Sequence, residues 1–305
     1  MDKQRAAPLY GLAVALLWGL SFLSIKVSVA VIPPMTLAVA RFVLAVAVLP
    51  LLALMTKEKL RVAPRDLPLL AAGGLVGVTI YFLCENNGVA LLSASESSLV
   101  IGTIPVLTLL AERLFLGPKG AGSPLGARAY LGAALSVLGV ALIVLRSGSG
   151  GAGSSPLGYL FMAGAAVSWV AYAFLTRPAG ARYGKVCVTF WQSLFGLAGC
   201  LPFALAESAS WRAPSLAVAL NVAYLGLLCS AAGYWLYISA MDVLGAGRTS
   251  VFINLIPVVS VVAAYFVLGE RLGAGQLAGG AVAVAGVYLA TVPAPRRASP
   301  GSRRA

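Results

Sequence analysis

Three ionisable residues stand inside long apolar stretches of this sequence: Lys26, Arg41 and Glu85. A charged side chain is costly in an apolar environment, so each of them is a candidate functional group. If they cluster, their net positive charge suits the carboxylate of a small solute or a charged gate. The structural alternative is that Lys26 extends its stem to a polar interface while Arg41 pairs with Glu85. Both alternatives stay open for Lys26 and Glu85, whereas the structural one is favoured for Arg41.

Aromatic residues accompany these charges at helical spacing. Trp18 and Phe22 precede Lys26 in steps of four, so all three fall on one face of a helix. Two rings beside an ammonium group suit an amphipathic ligand, although an aromatic stripe more often serves packing. Trp18 lies near the middle of its apolar stretch, where an indole N–H facing lipid has no partner, and this favours an inward orientation.

The elements that position these residues are predicted to be membrane helices. The chain has 305 residues, of which 60% are hydrophobic and only 10% charged. Soluble domains carry roughly 25% charged residues, so lipid is expected to solvate much of this protein. An all-α integral membrane fold follows, with ten transmembrane helices of about 20 residues each. The predicted spans are Leu9–Ile32, Pro34–Met55, Leu67–Leu91, Ala94–Leu116, Arg128–Leu145, Leu157–Leu175, Val186–Leu205, Leu216–Ala240, Gly247–Leu268 and Ala274–Val292.

The chain divides into two similar halves. The tripeptide Ile-Pro-Val at 104–106 recurs at 256–258, and Trp18 has its counterpart in Trp169. Such ordered matches indicate an internal repeat. The predicted organisation is a first repeat over 1–145, a Gly/Ser-rich linker over 146–156, a second repeat over 157–292 and a basic C-terminal tail over 293–305.

Basic residues are distributed unevenly between the predicted loops. With a cytoplasmic N-terminus, the opposite loops hold only Arg146, Arg212 and Arg271 of the 22 Lys and Arg residues. The positive-inside rule then places both termini in the cytoplasm. Because each repeat has an odd number of helices, the second is inverted relative to the first, as in many secondary transporters. The net charge of +13 is therefore attributed to topology and anionic membrane lipid rather than to nucleic acid.

Pro105 and Pro257 stand at the centres of matching predicted helices. Proline removes a backbone hydrogen bond and kinks a helix, which leaves a carbonyl free in a low-dielectric region. Interrupted helices at matching positions of two halves point to a binding site for a solute. A kink that serves packing alone is the alternative, and the symmetry of the pair favours the functional interpretation.

The two halves differ at other matched positions. Gln192 stands in place of Arg41 and Tyr237 in place of Glu85, while Arg177 keeps a positive charge where the first half has a lysine. The cytoplasmic counterpart of the charged cluster is therefore nearly uncharged, and the two gates need not behave alike. The candidate substrate-binding or gating residues are Trp18, Phe22, Lys26, Arg41, Glu85, Asn86, Pro105, Trp169, Tyr172, Tyr237 and Pro257.

Several classes of chemistry are disfavoured. The chain has no histidine, which is the usual base of a catalytic triad and the commonest metal ligand. Its four cysteines form no CxxC pair, and no P-loop sequence is present. We therefore expect no enzyme activity, no metal and no cofactor. Glu85 remains the candidate for a step coupled to protons.

A set of short motifs follows in order along the chain. They are Trp18-Gly19, Arg41-Phe42, Glu85-Asn86, Ser93-Ala94-Ser95, Ile104-Pro105-Val106, Ser168-Trp169, Ile256-Pro257-Val258 and Leu268-Gly269-Glu270-Arg271. Together they resemble the drug/metabolite transporter superfamily, in the ten-helix form with two EamA domains. The resemblance implies movement of small organic metabolites, often outward, through a central cavity. One position departs from the pattern, because Pro118 stands where the first half should carry a glutamate, and that residue's role is not transferred.

The working hypothesis is a secondary transporter of small amphipathic metabolites, such as amino acids, that acts by alternating access in a bacterial plasma membrane. Export is favoured over uptake. An uncoupled facilitator or a lipid-translocating protein is the alternative. A membrane-embedded enzyme or receptor is weaker, since histidines and a sizeable extramembrane domain are both missing from the sequence.

Overall fold

A computed structural model describes residues 3–120, 127–147, 155–244, 252 and 254–291. Within these residues all regular elements are helical and no strand occurs, so the prediction of an all-α fold is confirmed for this part of the chain. The first half contains α1 (Lys3–Val29), α2 (Pro34–Thr56), α3 (Leu67–Gly74), α4 (Tyr81–Leu91), α5 (Ala94–Ile101), α6 (Ile104–Gly120) and α7 (Ala127–Ser147). The second half contains α8 (Pro156–Gly180), α9 (Lys185–Ala206), α10 (Leu216–Ala223), α11 (Gly233–Leu244), α12 (Ile256–Leu268) and α13 (Ala274–Thr291).

Seven helical rods among the described residues are long and apolar enough to cross a membrane. They are Ala6–Val29, Pro34–Thr56, Pro64–Leu91, Ala94–Phe115, Pro156–Gly180, Lys185–Ala206 and Leu216–Ala240. Three shorter apolar helices, Tyr130–Ile143, Ile256–Leu268 and Ala274–Leu289, lie where the fifth, ninth and tenth spans are predicted. The protein is thus a multi-pass membrane protein, while the count of ten spans stays a prediction. Most of the predicted linker (148–154), the start of the predicted ninth span (247–251) and the basic tail lie outside the described residues.

The surface of the bundle is apolar, as lipid contact requires. Leu54, Met55, Leu114 and Phe266 each expose at least three quarters of their side-chain surface. In water such exposure of large apolar residues would be unfavourable, whereas hydrocarbon tails solvate it. The polar candidate residues lie in the interior instead.

Two of the long rods contain a π-helical stretch that the uniform helices predicted from sequence did not include. Residues Leu75–Ile80 join α3 to α4, and Tyr224–Ala232 join α10 to α11. Such stretches are rare and occur often at functional sites, because the wider turn shifts every side chain that follows. Here the helix that follows carries Tyr81 and Glu85 in the first half, and Tyr234 in the second.

The prolines act differently from the predicted mid-helix kinks. In the first half α5 ends at Ile101 and α6 begins at Ile104, so Pro105 is the second residue of a new helix. Pro257 is likewise the second residue of α12. The expected kink in a continuous helix is therefore wrong: proline starts a helix readily because a first-turn N–H has no intrahelical partner to lose.

Matched residues of the two halves meet at the centre of the bundle. The ring centroids of Trp18 and Trp169 lie 5.4 Å apart. Gly102, which follows α5, packs against Pro257 in the first turn of α12. A Cβ added to Gly102 would lie 2.6 Å from Cγ of Pro257, so there is no room for a side chain at this contact. A Cβ on Gly139 would similarly collide with the backbone of α13. The two repeats thus pack directly against each other.

Candidate functional site

A cavity lies between the two halves and is lined by residues of both. Its aromatic wall comes from both halves, while Arg41, Glu85 and Ser21 supply its polar groups. Ile101 and Ile104 flank the α5–α6 interruption and Ile256 begins α12, and all three also line the cavity. The aromatic side chains of the wall are Trp18, Phe22, Tyr81, Phe82, Trp169 and Tyr234. The helix interruptions therefore open onto the same space as the charged residues.

Trp169 is the centre of the aromatic wall. Its ring lies 5.1 Å from Tyr81, 5.2 Å from Tyr172 and 5.7 Å from Tyr234, measured between centroids. Tyr237 completes the group at 6.0 Å. Tilted and edge-on contacts at these distances are favourable for aromatic pairs. Tyr172 and Tyr237 thus support the wall from behind, and the wall presents an apolar, rigid surface to a ligand.

Trp18 turns into the cavity rather than toward lipid. Its indole Nε1 donates a hydrogen bond to the carbonyl of Cys229, 3.1 Å away. That carbonyl lies within the π-helical stretch Tyr224–Ala232, where backbone acceptors are displaced from their regular partners. The irregular stretch therefore orients one of the two tryptophans that face each other.

Arg41 is almost fully buried, with 3% of its surface exposed. Its Nε donates to Oγ of Ser230 at 3.0 Å, and its guanidinium carbon lies 4.3 Å from the centre of the Phe82 ring. Its Nη1 is buried and has no hydrogen-bond partner among the described residues. A guanidinium carries five N–H donors, and the two on Nη1 are available to a ligand.

Glu85 is also buried but does not pair with the arginine. Its Oε1 accepts a hydrogen bond from the hydroxyl of Tyr81 at 2.7 Å. In the described part of the chain, no ion pair within 4.0 Å joins Glu85 to Arg41. The predicted direct pair is therefore wrong, because Tyr81 and Ser230 satisfy one group each. Both charges instead border one cavity.

Lys26 is placed away from the two other charges. Its Nζ donates to the carbonyls of Val89 at 3.0 Å and Leu92 at 2.6 Å, at the C-terminal end of α4. The last carbonyls of a helix lack intrahelical partners and attract a cation. The expected cluster of three charges is thus wrong, because the carbonyls at the end of α4 bind the lysine instead.

Glu270 acts on the other side of the same turn. Its Oε1 accepts from the backbone N–H of Ala94 at 2.9 Å, and its Oε2 from the N–H of Ser95 at 3.0 Å and the Ser95 hydroxyl at 2.7 Å. These are free donors at the start of α5. The turn from Leu91 to Ser95, here termed the α4–α5 corner, is therefore held by a cation at its first helix and a carboxylate at its second.

Two further carboxylates bind helix N-termini in the same way. Glu207 accepts from the N–H of Thr36 at 2.7 Å at the start of α2, and Glu58 accepts from the N–H of Val186 at 2.9 Å at the start of α9. Glu58 and Glu207 were not identified from the sequence, and Glu270 was quoted there only within a motif. The signal that would have found them is an acidic residue just past the end of an apolar segment.

The remaining candidates lie outside the cavity wall. The side-chain amide of Asn86 donates to the carbonyl of Pro34 at 2.7 Å and so ties α4 to the start of α2. Pro257 borders a second, smaller space together with Leu99 and Gly102. The structure therefore brings together Trp18, Phe22, Arg41, Glu85 and Trp169 at one cavity. The candidates that do not line it are Lys26, Asn86, Pro105, Tyr172, Tyr237 and Pro257.

Comparison with known proteins gives a consistent result. The model of the EamA-like transporter family matches the chain twice, over residues 5–145 and 156–292. A probable terminal-alkyne amino-acid exporter of Streptantibioticus cattleyicolor is 31% identical, over 79% of each chain. A probable amino-acid metabolite efflux pump of Salmonella typhimurium is 28% identical, over 91% of this chain and 92% of its own. A solved crystal structure shares the fold with a TM-score of 0.68 at 23% identity, and covers 94% of this chain and 96% of its own.

Proposed function

The chain belongs to the EamA-like transporter family, and on this premise we propose that it exports small amphipathic metabolites, amino acids or related compounds, by alternating access. The family consists of transporters rather than enzymes, and the two relatives above carry names of amino-acid or amino-acid metabolite exporters. Alternating access is the mechanism that inverted repeats with a central site commonly use.

One observation carries this proposal: the cavity lies where matched elements of the two repeats meet. Trp18 and Trp169 form one wall from both halves, and residues at both helix interruptions line it. Movement of one repeat against the other would therefore change access to the cavity without rebuilding it. Its mixed lining of rings, Arg41 and Glu85 suits a solute with an apolar part and a charged part.

The proposed orientation has both termini in the cytoplasm of a bacterial cell, with the protein in the plasma membrane and its apolar surface in contact with lipid. The distribution of Lys and Arg between the predicted loops supports it. The α4–α5 corner then lies on the outer side, as do the two carboxylates Glu207 and Glu270, whereas Glu58 lies on the cytoplasmic side. Protons are the proposed coupling ion, with Glu85 as the group that carries them.

The test uses purified protein in liposomes loaded with a mixture of labelled metabolites. Efflux is followed with and without a pH gradient, for the wild type, for Glu85→Gln and for empty liposomes. Saturable flux that the gradient accelerates, and that Glu85→Gln loses, supports a proton-coupled transporter. Flux that is independent of the gradient and survives the substitution identifies a facilitator. Movement of labelled phospholipid instead of metabolites contradicts the proposal and identifies a lipid-translocating protein.

A further inference from the structure

We propose that Arg41 and Tyr234 form a subsite for a carboxylate, with Glu85 as the subsite for an ammonium group, so that the cavity selects zwitterionic α-amino acids with an apolar side chain. This inference deepens the proposed function and rests on it. It assigns a ligand group to Arg41, to Glu85 and to Tyr234, the last of which is not among the candidate residues selected from the sequence.

The first support is the unused capacity of Arg41. Its Nε is occupied by Ser230 and its ring neighbours Phe42 and Phe82 accept no hydrogen bond of ordinary strength. Nη1 nevertheless lies buried with no partner among the described residues. Burial of an unpaired donor of a charged group is unfavourable, and native proteins leave few such groups without a reason. An anion in the cavity supplies the missing acceptor.

Tyr234 provides a second unpaired donor beside the same cavity. The residue is 4% exposed, it lines the wall, and its hydroxyl is buried without a hydrogen-bond partner in the described structure. A carboxylate has two oxygens with about four acceptor positions, so one group can satisfy the arginine and the tyrosine together. Because Arg41 and Tyr234 belong to different halves, a bound carboxylate would also connect the two repeats.

Glu85 limits which anions fit. It borders the same cavity as Arg41, so the wall carries one positive and one negative group. A doubly charged phosphate would face an unfavourable interaction with Glu85, whereas the ammonium group of an α-amino acid would be attracted to it. The side chain of such a ligand would lie against the rings of Trp18, Trp169 and Phe22. The complement of this wall is therefore a neutral zwitterion with an apolar side chain.

The test compares three ligands of similar shape: phenylalanine, 3-phenylpropionate without the amine, and phenethylamine without the carboxylate. Each competes against labelled phenylalanine in counterflow with wild-type proteoliposomes. We expect phenylalanine to compete roughly tenfold to a hundredfold better than either analogue, since each analogue leaves one buried charge unpaired. Arg41→Gln should weaken phenylalanine and 3-phenylpropionate but leave phenethylamine nearly unchanged. Tyr234→Phe should show the same pattern with a smaller effect, and Tyr265→Phe, at an exposed position, should show none.

Several outcomes would overturn this assignment. If Arg41→Gln weakens all three ligands by one factor, Arg41 has a structural role only. Ser230→Ala keeps the charge and removes only its positioning hydrogen bond, so it tests the same pattern should Arg41→Gln fail to fold. Flux of other metabolites without any competition by phenylalanine refutes the amino-acid subsite while the proposed function stands. No flux of any solute in the wild type refutes the proposed function itself.

A separate set of contacts leads to a second inference: the structure assigns the α4–α5 corner as the outer gate, with Glu270 as its latch. Lys26 on α1 binds the carbonyls at the end of α4, and Glu270, two residues after α12, binds the N–H groups at the start of α5. The corner is therefore held by one residue from each half. Release of Glu270 would leave the start of α5 held by the local capping box of Ser93 and Glu96, without the carboxylate from the second half. The other end of α5, at Ile101, borders the cavity. The cytoplasmic counterpart lacks this carboxylate, because Pro118 stands at the matching position.

The latch can be tested by labelling from outside the cell. Ser21 lines the cavity, so Ser21→Cys reports access of a membrane-impermeant thiol reagent to it, against the wild type as background. Glu270→Gln should raise the labelling rate several-fold. Glu207→Gln is the matched control, since it weakens the same type of contact at α2, away from the corner. Unchanged labelling in Glu270→Gln, or an equal rise in both variants, would refute the latch.

Discussion

The two repeats place different residue types at matching positions of nearly the same scaffold. In the first half Arg41 lies at the cavity wall, whereas its counterpart Gln192 lies outside the wall, donates to Oγ1 of Thr176 at 3.0 Å and packs against Gly73. Each keeps one buried polar atom without a partner in the described structure, Nη1 of Arg41 and Oε1 of Gln192. Glu85 borders the cavity, whereas its counterpart Tyr237 supports the aromatic wall. One half thus supplies charge and the other supplies packing. A symmetric framework can therefore hold an asymmetric ligand.

The largest effect is expected when the second half receives the positive charge that Arg41 gives to the first. Gln192→Arg would place a cation at a position where the native glutamine is only 2% exposed. We expect the free energy of unfolding to fall by about 3–5 kcal/mol, as for other uncompensated buried charges. Thermal unfolding in detergent measures it, with Gln192→Met as the uncharged control. A variant as stable as the wild type would mean that both halves tolerate charge equally.

The point where the halves touch offers a second test. Gly102→Ala would place a methyl group against Pro257, in a contact too close for an undisturbed fit. We expect a loss of about 1–3 kcal/mol in unfolding free energy, typical of overpacking, together with slower flux. Gly180→Ala is the control, because its added Cβ meets no atom within 4 Å. Equal behaviour of the two variants would show that the interruptions are not in tight contact.

Trp18 and Trp169 are matched residues that face each other, but their surroundings differ. Trp18→Phe removes the indole N–H bond to the carbonyl of Cys229 and keeps a ring in place. The expected cost is about 1 kcal/mol, the usual contribution of one hydrogen bond. A melting curve in detergent detects it, and Cys229→Ser, which retains the backbone carbonyl, serves as a control. An unchanged melting temperature would mean that this hydrogen bond does not contribute to stability and that ring packing alone orients Trp18.

The smallest expected effect restores the glutamate that the first half lacks. Pro118→Glu would supply the cytoplasmic side with a carboxylate at the position that matches Glu270. If it binds a helix N-terminus as Glu270 does, closure on the cytoplasmic side becomes more favourable and turnover falls by a factor of roughly three, within the range of a helix N-terminal charge. Counterflow rates measure this, with Pro118→Ala as the control for loss of proline. Equal rates in both variants would contradict a matched latch.

Much of the fold follows from the sequence because hydrophobic length and repetition are local signals. The apolar segments from Pro34 to Leu91 and from Leu216 to Ala240 are found close to their predicted limits. The π-helical stretches at Leu75 and Tyr224 were not predictable, since a single extra residue in a turn leaves no mark on hydropathy. The restart of the helix at Ile104 was also missed, because proline is compatible with either a kink or a first turn.

The candidate site shows the same division. Arg41 and Glu85 could be identified because a buried charge is costly wherever it lies, and Trp18 because an indole needs a partner. Their partners could not, since Ser230 and Tyr81 are ordinary residues whose importance depends on the final packing. Glu270 lies far along the chain from the corner that it binds, so no local pattern connects the two.

The contact between Gly102 and Pro257 has a mechanical consequence. Gly102 lies at the interruption between α5 and α6, and Pro257 lies in the first turn of α12. Because Gly102 has no side chain, its backbone packs directly against the ring of Pro257. A tilt of α5 would therefore displace α12 as well, so the two helices are mechanically coupled. A solute in the cavity would contact Ile101 at the end of α5 and Ile256 at the start of α12. The two helices then share one degree of freedom, so that opening on one side of the membrane and closing on the other would occur in a single movement.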